Sequence, residues 1–284
     1  MRRLIRILAG LSALFVLAWC LFALIVRPSN ERDWTADQSM LATAEIDGPL
    51  VTIRNVRNFD YRSTTDFTPS WETRTYDVRD LDSVWFVVEP FGGWDAMAHT
   101  FVSFGFAGEK YVAISVEIRK ERGESFSPFR GLLRQYELMY VIGDERDLIG
   151  LRANHRKDEV YLYPVRATPD RAREMFLGML GRANDLAAEP EFYNTLTNTC
   201  TTNLVAHVNQ IAPGRIPLSA GVILPGYSDD LAWELGLIDT ELPRERIRER
   251  FRINDDAGRW AGHADFSRMI RSDQVFRQIG AWAR

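Results

Sequence analysis

The sequence predicts an α+β domain held behind one membrane-spanning helix, and three observations predict it. A nearly unbroken apolar run from Ile7 to Val26 is long enough to cross a bilayer as a helix. Downstream, segments rich in β-branched and aromatic residues alternate in polarity at the period of a strand. Two later segments repeat their apolar residues every three or four positions, as helices packed on a core do.

Arg2, Arg3 and Arg6 precede the apolar run, whereas Arg27 stands among Glu31 and Asp33. The bias of basic residues puts the N-terminus in the cytoplasm and everything after Arg27 outside. A cleaved signal peptide would also be apolar, but no small-x-small site follows the run. Leu17–Cys20 has the outline of a lipoprotein cleavage box, with Trp19 a poor residue before the cut. The expectation is a retained anchor over residues 1–27. Removing it takes away four arginines and no acids, which leaves 31 basic against 39 acidic residues. An exported part of that charge does not suit nucleic acid or an anionic-lipid patch. The overall 46% hydrophobic and 26% charged content is that of an ordinary folded protein.

Residues 28–47 are polar and mixed and read as a tether. Strands are expected at Leu50–Val56, Tyr76–Val78 and Val84–Glu89, with a long polar loop from Arg54 to Arg74 and a turn at Pro90–Trp94. A hairpin follows. Thr100, Val102, Phe104 and Phe106 alternate to one side, as do Val112, Ile114, Val116 and Ile118. Both apolar faces must meet one core, so paired residue numbers must sum to an even value. A three-residue loop at Ala107–Glu109 pairs Phe106 with Lys110 and sets His99 opposite Glu117, with Ser103 and Ser115 on that face. A five-residue loop would set His99 opposite Arg119, with Glu117 diagonal. Either way His99 and Glu117 share a face.

Leu138–Ile142 and Val160–Val165 are further strands, with Arg152–Asp158 a polar connection between them. Thr168-Pro169 starts a helix whose stripe is Met175, Phe176, Met179, Leu180, Ala183 and Leu186. Cys200 opens the next, on the stripe of Leu204, Val208 and Ile211. Ile216–Tyr227 is a Pro- and Gly-punctuated loop, and Asp229–Leu235 a short helix. From Glu241 the chain is charged, ending in a weakly amphipathic segment around Phe266–Trp282. The domain is thus expected over 48–240, followed by a charged extension over 241–284.

A thiol at a helix N-terminus meets free N–H groups and the positive end of the helix dipole, which favour its thiolate. With Cys20 in the membrane run, Cys200 has no intrachain disulfide partner. A small core cysteine fits the same pattern. Of the four histidines, His207 lies two turns along the same helix, roughly 10 Å from Cys200. His155 sits in a charged turn and His263 in the tail. His99 begins a strand with Glu117 in reach. Cys200, His99 and Glu117 therefore compose a candidate triad of nucleophile, base and orienting group. Glu117 could equally pair with Arg119 or Arg134. Asn198 could donate to an oxyanion or merely cap the helix, Ser115 could orient His99, and Trp85, Phe86 and Trp94 read as core aromatics. The sequence has no Gly-rich phosphate loop, zinc-ligand spacing or Ser-centred nucleophile elbow, and no cofactor is expected.

Arg54-Asn-Val-Arg-Asn-Phe-Asp-Tyr61, His99-Thr-Phe-Val-Ser-Phe104, Ile114-Ser-Val-Glu-Ile-Arg119 and Phe192–Thr202 resemble the signature blocks of the Lnb-type periplasmic domain family. Leu224-Pro-Gly-Tyr-Ser and Gly236-Leu-Ile-Asp239 resemble its closing block, so the likeness covers about residues 48–240. The resemblance implies a bacterial, membrane-associated thiol acyltransferase. Its characterised members move an acyl chain to the N-terminal amine of a diacylglyceryl-cysteine lipoprotein. The family's required Cys and His map onto Cys200 and His99. The order of His, polar residue and Cys is also similar to the circularly permuted NlpC-like papain fold, shared with the lecithin:retinol acyltransferase class. This chain has a single anchor, whereas family members vary widely in what accompanies the domain. The expected protein is a single-pass protein of the bacterial inner membrane with its domain in the periplasm. It would take a phospholipid or lipoprotein as substrate and move an acyl chain to an amine through a Cys200 acyl-enzyme. An envelope cysteine peptidase or amidase, and a non-catalytic binding domain, are the alternatives.

Overall fold

A computed structural model of the protein describes residues 2–107 and 110–271. The hairpin tip at Gly108–Glu109 and the part beyond Arg271 of the amphipathic segment expected around Phe266–Trp282 lie outside the described residues. Helix α1, Arg2–Ile25, is 24 residues long with no buried face. At 1.5 Å per residue it spans about 36 Å, more than the hydrocarbon core of a bilayer.

Strands β1 (Thr43–Asp47), β2 (Leu50–Arg57), β5 (Trp71–Asp77), β6 (Leu81–Pro90), β7 (Ala98–Phe106), β8 (Lys110–Arg119), β9 (Glu137–Gly143) and β10 (Tyr161–Pro164) form one sheet. A separate small ribbon joins β3 (Asp60–Tyr61) and β4 (Phe67–Thr68). The main sheet runs β1-β2-β9-β8-β7-β6-β10, with β5 also on β2. All its pairings are antiparallel except β2 with β9, where Arg57 meets Gly143. The β7–β8 register pairs Phe106 with Lys110 and Phe101 with Ser115, the three-residue-loop alternative. The long loop expected from Arg54 to Arg74 is partly strand. Asn55, at positive φ, sits at an irregularity between Ile53 and Val56 and lets β2 continue to Arg57.

Apolar side chains cover both faces of the sheet. On one face Val102, Phe104, Val112 and Ile114 pack on α4 (Pro169–Ala188) and α5 (Cys200–Ile211), through Phe176, Met179, Leu180 and Leu204. Thr168 caps α4 by accepting from the Arg171 amide, and Pro169 holds its first helical position. On the other face Val87, Phe101, Ala113 and Met139 pack on α3 (Glu145–Gly150) and a π-helical turn, Leu151–Arg156. Helix α2 (Pro128–Leu132) joins β8 to β9, and α6 (Ala220–Ile223) and α7 (Ser228–Glu234) follow α5. The last described elements are α8 (Arg244–Phe251), α9 (Asn254–Arg259) and α10 (Phe266–Met269).

Four further expectations change. The segment 28–47 is docked, not a tether: its last five residues are β1, Asn30 donates to the carbonyls of Leu186 and Ala187, and Trp34 is buried under the Arg119 guanidinium. The stretch from 241 to 271 belongs to the domain, burying Ile247, Phe251, Ile253, Phe266 and Ile270. The polar connection at Arg152–Asp158 begins with the π-helical turn, whose Arg152 is 2% exposed. Trp94 is not a core residue but stands exposed on the β6–β7 loop, while Trp85 is buried.

Candidate active site

Cys200 is the first residue of α5. Thr199 is the N-cap and forms a reciprocal capping box with Thr202, which fixes where the helix starts and therefore where the thiol sits. The side chain expected to cap, Asn198, does other work. It donates to the Phe192 carbonyl and accepts from Asn203, tying the 192–199 loop to the helix. Cys200 Sγ lies 3.8 Å from Thr201 Oγ1, and the residue is 7% exposed.

His99 is the second residue of β7. Its ring nitrogen Nε2 is 2.7 Å from Ser115 Oγ, and Ser115 Oγ donates to Glu117 Oε1 at 2.8 Å. A serine hydroxyl has one proton, and here Glu117 takes it. Nε2 must then be the protonated nitrogen, which leaves Nδ1 as the basic one. Glu117 is 3.9 Å from the imidazole, so the serine stands between them.

Behind this relay lies Arg152. Its guanidinium donates to Glu117 at 2.9 Å and to Glu89 at 2.5 Å, and Glu89 pairs with His99 across β6 and β7. Its third contact is the Leu148 carbonyl, and its plane lies over the Phe101 ring. Glu117 thus pairs with neither Arg119, which binds the 30–39 segment, nor Arg134. Burial alone would raise the Glu117 pKa, but Arg152 and then His99 outweigh it and hold the carboxyl well below its usual range. Burial, with Arg152 adding to it, lowers His99 to about 3, so the imidazole is a neutral base at physiological pH. Burial lifts Glu89 to about 7 against the pull of Arg152 and Arg156. Arg152 escaped the sequence reading because its partners are remote in the chain. In sequence Glu117 has Arg119 and Arg134 as nearer candidate partners, and nothing local points to Arg152.

Cys200 and His99 border one cavity of about 520 Å³. They approach it from different layers. Cys200 belongs to the α4–α5 side, and His99 follows the odd-numbered side chains of β7 that face the π-helical turn. No hydrogen bond joins the thiol to the imidazole. The cavity is two-ended: Phe91, Trp94, Phe126, Leu196 and Ile223 line an apolar part, and Arg57, Glu89, Glu117, Arg152 and Arg156 a charged one. Arg57 is itself held bidentately by Asp147 at 2.8 and 2.9 Å. Tyr193 also lines the cavity, and burial together with the neighbouring Cys200 raises its pKa, so it stays a hydroxyl donor. In sequence it is one residue of the Phe192–Thr202 block and carries no local signal of a role.

The other histidines stand elsewhere. His207 is buried on α5 and bonded to the Tyr140 hydroxyl at 3.0 Å, His155 packs against the Tyr61 ring, and His263 accepts from the Asp265 amide.

No match to the chain was found among curated proteins or among solved structures. The profile of the Lnb N-terminal periplasmic domain matches residues 67–225, a span that contains β6 to β9, the His99 relay and the Cys200 helix. More than half of the chain is matched, and it belongs to the Lnb N-terminal periplasmic domain family.

Proposed function

We propose that the protein is a membrane-anchored periplasmic thiol acyltransferase of the bacterial inner membrane. The observation that carries this reading is the shared cavity. A cysteine at a helix start and a neutral histidine backed by a Ser–Glu–Arg relay face a space with an apolar and a charged end. A strand-borne His ahead of a helix-borne Cys also fits a permuted NlpC-like papain arrangement.

In the proposed reaction Nδ1 of His99 takes the thiol proton, across a bridging water or after the bound substrate draws the two together. Cys200 Sγ then attacks the ester carbonyl carbon of a phospholipid or lipoprotein acyl group. The oxygen gains the negative charge and is met by N–H groups at the start of α5 and by the Tyr193 hydroxyl. The intermediate collapses by breaking the ester C–O bond, and His99 returns its proton to the leaving alcohol. An amine attacks the thioester next, gives its proton to His99, and expels the Cys200 thiol. Ser115, Glu117 and Arg152 hold the imidazole in the tautomer that this requires.

The charged end, with Arg57, Arg152 and Arg156 among carboxylates, would also suit a peptide and so favours an envelope cysteine peptidase or amidase as the second reading. Trapping the enzyme with envelope lipids and measuring the intact mass separates them. A fatty-acyl adduct that disappears in Cys200→Ala supports the transferase, and a peptidyl adduct on Cys200 supports the second reading. Full envelope phenotype in Cys200→Ala would leave only a binding role.

A further inference from the structure

Four separate loops bring large apolar side chains to the mouth of the cavity and leave them in water. Trp94 on the β6–β7 loop is 59% exposed, Phe129 on α2 is 68% exposed, and Leu196 before α5 is 55% exposed. Phe126 and Ile223 are also exposed, and Trp94, Phe126, Leu196 and Ile223 all line the cavity. A soluble surface scatters such residues singly, whereas a contiguous set around an opening marks a contact surface.

The loops that carry them are bound to one another. Thr195 donates to the Pro128 carbonyl, joining the 192–199 loop to α2. The Gly226 amide donates to the Ala96 carbonyl at 3.0 Å, and any side chain at 226 would run into the backbone at Asp95 and Ala96. The rings of Phe91 and Phe126 are 6.1 Å apart. The apolar rim is therefore a built surface.

Its position relative to α1 indicates what covers it. Arg134, two residues past α2, donates to the Ala23 carbonyl in the last turn of α1 and lies over the Phe192 ring. The end of the apolar helix thus adjoins both α2, which carries Phe129, and the loop that carries Leu196. A bilayer crossed by α1 ends where that helix ends, beside the rim. We infer that the rim is a membrane-docking surface. Trp94, Phe129 and Leu196 enter the outer leaflet of the membrane that α1 crosses, so that the cavity opens directly into lipid. Aromatic residues of this kind settle at the headgroup level, with apolar faces about 5–10 Å into the boundary with the acyl chains.

The inference rests on α1 being retained, and it does not depend on acyl transfer. The full chain, its intact mass confirming α1, is placed in phosphatidylcholine–phosphatidylglycerol nanodiscs in a Cys200→Ala background, which separates docking from chemistry. Trp19→Phe removes the tryptophan within α1. Lipids brominated near the headgroup end of the acyl chain should quench a component of the emission that Trp94→Phe abolishes. Replacing Phe129 and Leu196 together by aspartate should restore that component. Emission from Trp94 that ignores brominated lipid and is quenched fully by aqueous iodide would overturn the inference. So would shielding that appears only when another envelope protein is added.

Discussion

His99 is built to stay neutral. Burial and the Arg152 charge both disfavour its protonated form, and Ser115, committed to Glu117, accepts from Nε2. Its ring signals in an NMR titration, assigned with His99→Asn, should hold constant from pH 8 to 5, and a midpoint near 6.5 would refute the neutral base. Ser115→Ala should leave the ring in place but free to turn, lowering kcat by about tenfold to a hundredfold with little change in KM. Ser115→Thr keeps the hydroxyl and should retain part of the rate. His207 supplies a stability counterpart. Burial, then Arg182, lowers it to about 4, whereas the unfolded chain titrates near 6.5. The unfolded state binds the extra proton between those values, so the contribution is present above about 6.5 and is lost as pH falls toward about 4. Urea midpoints of the wild type and His207→Gln should therefore differ most at pH 7 and converge below pH 4.

Helix α5 shows how an element positions a single side chain. Its first residue is fixed by the Thr199–Thr202 capping box, so a cap change acts on stability and on the placement of the thiol together. Thr199→Ala should cost about 1 kcal/mol in urea unfolding and slow the alkylation of Cys200, while Thr199→Ser should cost little. Much of this was legible in the chain: the polar run before Cys200 marked a helix start, and the alternation of β7 and β8 set the pairing parity that puts His99, Ser115 and Glu117 on one face, while the choice between two registers came only with the structure. The cap itself was misplaced by one residue, because Asn198, Thr199 and Thr202 are all capping types and only packing decides among them. Arg152 was not legible at all. Its burial depends on Glu89 and Glu117, 63 and 35 residues away in sequence, and a basic cluster next to Asn154 and Asp158 reads locally as a solvated turn.

At the scale of the molecule, the chain after Thr240 wraps the β10 edge of the sheet and packs on both faces, with Ile247 and Phe251 beside Val88 and Tyr163 on one of them. The charge density of Arg244–Arg252 disguises this, because Ile247 and Phe251 sit on the one buried stripe of an otherwise exposed α8. Farther on, Ile253, Ala257, Phe266 and Ile270 form a layer over Trp85, Val87 and Met139 on the other face. Arg271 then reaches inward to Glu145, with its two terminal nitrogens 2.7 and 2.5 Å from the carboxylate oxygens and its guanidinium over the Tyr111 ring. Both members of this pair are fully buried, so removing one strands a charge, at a cost of about 3–5 kcal/mol. Burying each large apolar side chain of the segment contributes about 1.5–3 kcal/mol more. A truncation after Thr240 loses the pair and the layer together, a loss comparable with the whole stability of a domain. It should be insoluble or bind a hydrophobic dye strongly, although it keeps every residue of the family match and the whole candidate site. Arg271→Met in the full chain isolates the ion pair, and adding Glu145→Leu should recover a substantial part of the lost urea stability by removing the stranded carboxylate. A truncated protein that unfolds cooperatively at the wild-type urea midpoint would show that the segment is an appendage after all.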